Sequence, residues 1–156
     1  MALLRDCIAD MRRTGIDQWD EIYPSHKTLL TDIQAGTMHL GFHNRETLVG
    51  ALVLNEFQDA EWSKAEWTIM TVPILVVHRL MVDPKHQGRG IARDLMQFAE
   101  AWARANGYGA IRLDAFSANL RALRLYRGLG YRDAGGASLR KGPFRCFEKQ
   151  LNASAG

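Results

Sequence analysis

The sequence predicts a mixed α/β protein, a sheet with helices on its faces, from three observations. Apolar residues recur every three or four positions in some stretches and every second position in others. A long β-branched run, Ile74 to Val82, leads through a glycine-containing turn into an amphipathic segment. Two further apolar runs close the chain around Lys141-Gly142-Pro143.

Leu3 to Arg13 carries apolar residues at 4, 7, 8 and 11 and stops at Thr14-Gly15, the pattern of an amphipathic helix. A second helix is expected from Ser25, after Pro24, to Ala35, with Gly36 as its exit. Thr37 to His43, the polar turn Asn44-Arg45-Glu46 and the apolar run Thr47 to Asn55 read as a β-hairpin, and residues 57 to 66 as a loop. The strand Ile74 to Val82 should end at Asp83-Pro84, because proline lacks the N–H that a ladder needs and restricts the residue before it. A helix follows from about Gly90 to Asn106. Its expected core stripe is Ile91, Leu95, Phe98, Trp102 and Ala105, and its expected solvent face Arg93, Gln97, Glu100 and Arg104. Ala110 to Phe116 reads as a strand, and Ser117 or Asn119 as the cap of a helix reaching about Leu129. Tyr131 to Ala137 and Phe144 to Leu151 read as the closing strands.

With 156 residues, 47% of them hydrophobic, the chain is expected to form one domain with a packed core. The longest uncharged apolar stretch, Trp67 to Val77, is 11 residues and contains Pro73, against the roughly 20 that a bilayer span requires. No membrane span is expected. Arg5 and Asp6 interrupt the apolar start, so no secretory h-region is expected. Cys7 and Cys146 stand far apart, and the histidines lack zinc-motif spacing with them. Neither a disulfide framework nor a metal site is indicated, and a cytoplasmic location is expected.

The net charge of +3 is unevenly distributed: residues 1–66 are net −5 and residues 67–156 net +8, with 15 arginines among the 20 basic residues. That asymmetry points to a polyanionic ligand on the carboxy-terminal part, where arginine suits bidentate phosphate contacts, and more weakly to a cationic one near the amino-terminal part. No nucleic-acid-binding motif accompanies the basic half, so a nucleic-acid partner is not expected. A homodimer is compatible with the sequence.

The densest chemical signal is VHRLMVDPKHQGRGIA, Val77 to Ala92, in which a strand enters a glycine-containing turn and then the first turn of a helix. The first amides of a helix lack intrahelical acceptors and the macrodipole favours negative charge there, so a diphosphate can serve as their acceptor. Gly88 and Gly90 allow close approach and positive φ. A P-loop needs Gly-Lys-Ser/Thr where Gly90-Ile91-Ala92 stands, and a dinucleotide fingerprint needs glycine where Arg93 stands; neither fits.

On these residues the chain resembles the GCN5-related N-acetyltransferase family, whose acyl-CoA signature is Gln or Arg, x, x, Gly, x, Gly or Ala, met here by Gln87, Gly90 and Ala92. A second block at the family's expected distance, NLRALRLYRGLGY from Asn119 to Tyr131, extends the resemblance, which runs in order over about residues 36 to 151. It implies the acyl-CoA N-acyltransferase fold, a mixed and mostly antiparallel sheet with helices on both faces. Family members usually begin with a strand before the first helix. Here the helical pattern starts at about residue 3, so either that edge strand is lacking or the chain begins downstream of the usual start.

The resemblance also implies acetyl-CoA as the acetyl donor and transfer to a primary amine of a small molecule or peptide by direct attack in a ternary complex, without a metal. The strands ending near Val82 and Phe116 are expected to splay, leaving Leu80, Met81 and Val82 to hold the pantetheine arm. The amides of Gly88, Arg89, Gly90, Ile91 and Ala92 would hold the diphosphate, with Arg89 and Arg93 adding charge. Asn119 would contact the arm and Tyr126 would protonate the leaving thiolate. Asn119, Ala122 or Leu123, and Tyr126 share one helix face, and the seven residues from Asn119 to Tyr126 span about 10 Å.

An amine must lose a proton to become an amide. Two base candidates are His78, which regular alternation would put on one strand face with Leu80 and Val82, and Glu56, after the hairpin. Each has a structural alternative, a hydrogen-bonded strand histidine and a solvated loop carboxylate. Asp114 reads as a structural partner for a basic neighbour, and Cys146 has no flanking feature that would activate it. Trp19, Tyr23 and Trp62, interspersed with acidic residues, suit an acceptor cation, though Trp19 and Tyr23 equally suit pinning the two amino-terminal helices together. A non-catalytic acyl-CoA sensor of the same fold is the alternative functional reading.

Overall fold

The computed structural model describes residues 1–151. The chain forms α1 (Ala2–Arg13), α2 (His26–Gln34), the hairpin β1 (Met38–His43) and β2 (Thr47–Asn55), β3 (Ile74–Val82), α3 (Ile91–Ala105), β4 (Ala110–Phe116), α4 (Leu120–Gly128), β5 (Arg132–Leu139) and β6 (Gly142–Gln150). Among the described residues, six strands make one sheet in the order β1-β2-β3-β4-β6-β5, in which only β3 and β4 are parallel. β3 and β4 have the ends expected for them. No strand precedes α1 among the described residues, and β1 is a sheet edge. None of the described helices is long and apolar enough to cross a membrane.

The two faces of the sheet carry different cores. Leu52, Leu54, Leu75, Val77, Ile111, Leu113 and Phe147 face α3 and α4. Ala51 and Met81 face the α1–α2 layer of Leu4, Cys7, Ile8, Trp19 and Leu29. On that second face, further along, Trp62 packs over Val76 and Cys146.

Three expectations are corrected. The segment read as a loop contains a 3₁₀ turn, Ala60–Lys64. Asp59 caps it by accepting from the Glu61 N–H at 3.0 Å, and it buries Trp62. Helix α3 is rotated from its expected stripe: Leu95, Met96, Ala99 and Ala103 are buried, whereas Phe98 and Ala105 are exposed. Small alanines let the helix approach the sheet closely. Glu100, expected in solvent, is buried and held by Lys149 Nζ at 2.8 Å. Finally, β3 is not a regular strand. Its register against β2 jumps between Ala51↔Met81 and Val53↔His78, and Arg79 takes a φ of +50°. This bulge flips the alternation, so His78 and Leu80 lie on opposite faces of the sheet.

Candidate active site

The parallel pairing of β3 and β4 stops early, running only from Ile74↔Ala110 to Val76↔Arg112. Beyond it the strands splay, and a cleft of about 1380 Å³ passes through the sheet at the gap. One side of the cleft opens at the start of α3, the other among Tyr23, Phe57, Trp62 and His78.

On the α3 side the expected turn is present. Gly88 and Gly90 have φ of +76° and +84°, a region costly to other residues, and a Cβ at either would meet nothing within 4 Å. The amides from Gly88 to Ala92 have no acceptor among the described residues, as the start of an α-helix requires. Gln87, Gly88, Gly90, Ile91, Ala92 and Arg93 line the cleft, whereas Arg89 lines a smaller depression, of about 440 Å³, with His43 and His86. Gln87 Oε1 accepts from Arg121 at 2.5 Å. Arg121 and Arg124, which lie within the second motif block but have no role expected from the sequence, join Arg93 along this wall.

At the gap, Asp83 N–H donates to Val49 O, so by alternation the backbone groups of Leu80 and Val82 turn away from β2 towards the splay. The Cys7 thiol donates to Val82 O at 3.3 Å. Met81 sends its side chain into the α1–α2 core. Asn119 caps α4, its Oδ1 accepting from Ala122 N–H at 3.2 Å, and its Nδ2 donates to Gln18 at 3.1 Å. Its side chain therefore ties α4 to the segment between α1 and α2. Ala122 and Tyr126 line the cleft. The Tyr126 ring is buried against Tyr131 and Phe147, and its hydroxyl has no protein partner among the described residues. Burial, reinforced by the charge of Asp114, pushes its pKa above the ordinary value, so the phenol keeps its proton.

The opposite side is built by two segments lying over the sheet. Residues 16–24 are strapped to the β5–β6 turn by Arg140 to Asp20 at 2.8 Å and by Lys141 to Asp17 and Asp20 at 2.7 and 2.9 Å. Those two cations hold the Asp20 carboxyl well below the usual carboxylate range. Residues 57–69 are held by Glu148, which is fully buried and accepts from the backbone N–H groups of Thr68 and Ile69 and from Arg132. Trp19 is buried in the α1–α2 core and also lines the cleft, while Tyr23 is partly exposed at the cleft and accepts from Arg79 at 2.7 Å. Arg79 is also paired bidentately with Asp32 at 2.6 and 2.8 Å.

His78 lies over this opening, stacked on Trp62 with ring centroids 6.5 Å apart. Its Nε2 donates to Asn55 Oδ1 at 3.0 Å and Phe57 O at 3.1 Å. Burial and the Arg79 charge press its pKa down to about 4. Glu56 is exposed, accepts from the Tyr108 hydroxyl at 2.8 Å and does not line the cleft. Asp114 does line it. The partner expected for it was basic; its actual partner is the Trp62 indole, whose Nε1–H donates to Oδ2 at 2.9 Å. Burial, and secondarily Asp59, raises its pKa to about 6 despite that bond. Cys146 is buried beneath, its thiol pushed up to about 12 by burial.

A sheet split between two parallel strands, with helix-start amides on one side and a phenol at the gap, is the architecture expected from the resemblance to the acyl-CoA N-acyltransferase fold. The profile of the acetyltransferase (GNAT) family matches residues 3–131, and the chain belongs to that family. An acetyltransferase of the GNAT family from Streptococcus agalactiae superposes with a TM-score of 0.85 at 22% identity, covering 97% of this chain and 88% of that one. The Salmonella typhimurium protein yncA, determined with its cofactor acetyl-CoA, superposes with a TM-score of 0.68 at 16% identity, covering 99% and 90%. Streptothricin acetyltransferase from Streptomyces lavendulae is 37% identical over 57 residues, which span 36% of this chain and only 30% of that protein.

Proposed function

We propose that the protein transfers the acetyl group of acetyl-CoA to a primary amine of a small cationic molecule or a peptide, by direct attack in a ternary complex. The observation that carries this reading is the cleft itself, which joins unpartnered amides at α3 to the Tyr126 hydroxyl and then to an acidic, aromatic opening on the other face. Family membership and the acetyl-CoA bound to yncA support the donor.

In this reading the amides from Gly88 to Ala92 take the diphosphate, with Arg93 and Arg124 adding charge, and the backbone groups of Leu80 and Val82 that face the splay align the arm, the Val82 carbonyl already accepting from the Cys7 thiol. Asn119 borders the arm, and Tyr126 donates its proton to the leaving sulfur. A phenol is a useful acid towards a thiolate, whose conjugate thiol has a pKa of about 8.5, only when well placed, and burial fixes this one. At the acceptor opening every cation is matched: Arg79 by Asp32, Arg140 and Lys141 by Asp17 and Asp20. Asp59, Glu61 and Asp114 have no cationic partner among the described residues, and with Phe57, Trp62 and Tyr23 they suit an amine bearing positive charge. The name of streptothricin acetyltransferase is in keeping with a small-molecule acceptor.

The test is CoA release from acetyl-CoA across amino acids, polyamines, aminoglycosides and peptide amino termini. Transfer to at least one amine is expected. Binding of acetyl-CoA without transfer across the whole panel would replace the enzyme with a cofactor-binding sensor.

A further inference from the structure

We propose that Asp114 is the catalytic base that takes the proton from the attacking amine, and that Trp62 positions it. This rests on the acetyl-transfer reading and assigns a residue within the same site. Asp114 lies two residues past Arg112, the last β4 residue paired with β3, on the acceptor face and at the floor of the gap. Its Oδ2 is fixed by the Trp62 indole, and its Oδ1 has no partner among the described residues. It is therefore a carboxylate anchored by one oxygen with the other open to the cleft. Tyr126 lies near enough for the Asp114 charge to raise the phenol's pKa, so acid and base border one reaction space.

The surroundings favour Asp114 over the alternatives. Asp59 faces it from the overlying segment, Cys146 from β6 and Tyr126 from α4, and His78 borders the same cleft from β3; Arg145 of β6 is engaged by Asp133 at 2.6 Å. No cation among the described residues pairs with the Asp114 carboxylate. His78 has its Nε2 committed to two oxygen acceptors and its proton affinity lowered, and Glu56 points elsewhere. A carboxyl with a pKa of about 6 is ionised at neutral pH yet basic enough to accept a proton as the carbon–nitrogen bond forms.

The proton balance closes within the site. The amine nitrogen bonds to the acetyl carbon, the carbon–sulfur bond breaks with its electron pair going to sulfur, the nitrogen proton passes to Asp114 Oδ1 and the Tyr126 proton passes to sulfur. Return of the Asp114 proton to the Tyr126 oxygen restores both residues, leaving an amide and a thiol.

The experiment compares wild type and Asp114→Asn with acetyl-CoA and the fastest amine of the panel, measuring kcat, both KM values and the pH dependence of kcat. Asparagine keeps an oxygen for the indole, and retained acetyl-CoA affinity confirms the fold. Turnover should fall by about 100-fold or more while the acetyl-CoA KM stays unchanged. The wild-type kcat should decline below about pH 6, and the variant should lose that limb. Trp62→Phe, which removes a bond that lowers the carboxyl's pKa, should move the limb to higher pH. An unchanged kcat, including one accompanied by a higher acceptor KM, would overturn the assignment while leaving acetyl transfer standing. Absence of transfer by wild type would remove both.

Discussion

His78 and Asp114 stand at equal steps, two residues each, beyond Val76 and Arg112, the last pair joining β3 to β4, and the Trp62 indole touches both. Their ionisation is displaced in opposite directions, to about 4 for His78 and about 6 for Asp114. Below about pH 6.5 the unfolded chain protonates His78 before the folded one does, so stability present above that pH is lost on acidification to about pH 4. Asp114 acts in reverse, since the folded chain protonates it first, so its contribution is full below about pH 4 and is lost as pH rises through about 6. Each is on the order of 3 kcal/mol, and the two nearly cancel in the wild type. Relative to wild type, Asp114→Asn should lose stability between pH 6.5 and 4, and His78→Asn should gain it. Urea unfolding at several pH values checks this; parallel pH dependences in all three proteins would contradict it.

Tyr126→Phe isolates the hydroxyl. The ring contacts with Tyr131 and Phe147 survive, and the hydroxyl has no protein bond to lose among the described residues. The melting temperature should therefore stay within about 2 °C, and acetyl-CoA affinity within about twofold, while turnover falls by about 10²–10⁴. Equal losses in affinity and turnover would contradict the acid role.

Arg79 and Asp32 form the pair that holds the β3 bulge against α2, with side chains only 10% and 9% exposed. Removing one partner leaves a buried charge unmatched, so Asp32→Ala should cost about 3–5 kcal/mol in urea unfolding. The double variant Asp32→Ala/Arg79→Ala should be less destabilised than the sum of the single variants. Additive losses would mean that the two side chains act independently.

What was legible in the sequence was what repeats. β3 and β4 announced their ends because a β-branched run meets Asp83-Pro84 in one case and helix and cap signals flank the other. The glycine turn and the unpartnered amides at the start of α3 are legible because they are local, needing only a turn and a helix start. The acceptor half depends on contacts between distant segments. Trp62 and Asp114 are 52 residues apart, and a carboxylate in a strand suggests an ion pair sooner than an indole. The bulge at Arg79 has no residue signature, so regular alternation put His78 on the wrong face. The rotation of α3 is hidden in the sequence because Ala99 and Ala103 bury well while adding little apolar signal.

Gly90 offers a way to separate backbone strain from anion recognition. It is the N-cap of α3 at φ +84°, where an L-residue is strained by roughly 1–2 kcal/mol, and a Cβ there would enter open space. Gly90→Ala and Gly90→Glu therefore carry the same backbone penalty and should lose similar stability in thermal unfolding. They differ only in what projects towards the amides of Gly88 to Ala92. Alanine should weaken acetyl-CoA binding modestly, since the amides remain and only their geometry is strained. Glutamate would put a carboxylate beside the proposed diphosphate site and should abolish binding, which calorimetry will register. If both variants bind acetyl-CoA equally well, no anion sits at the start of α3, and the cofactor enters the cleft by another route.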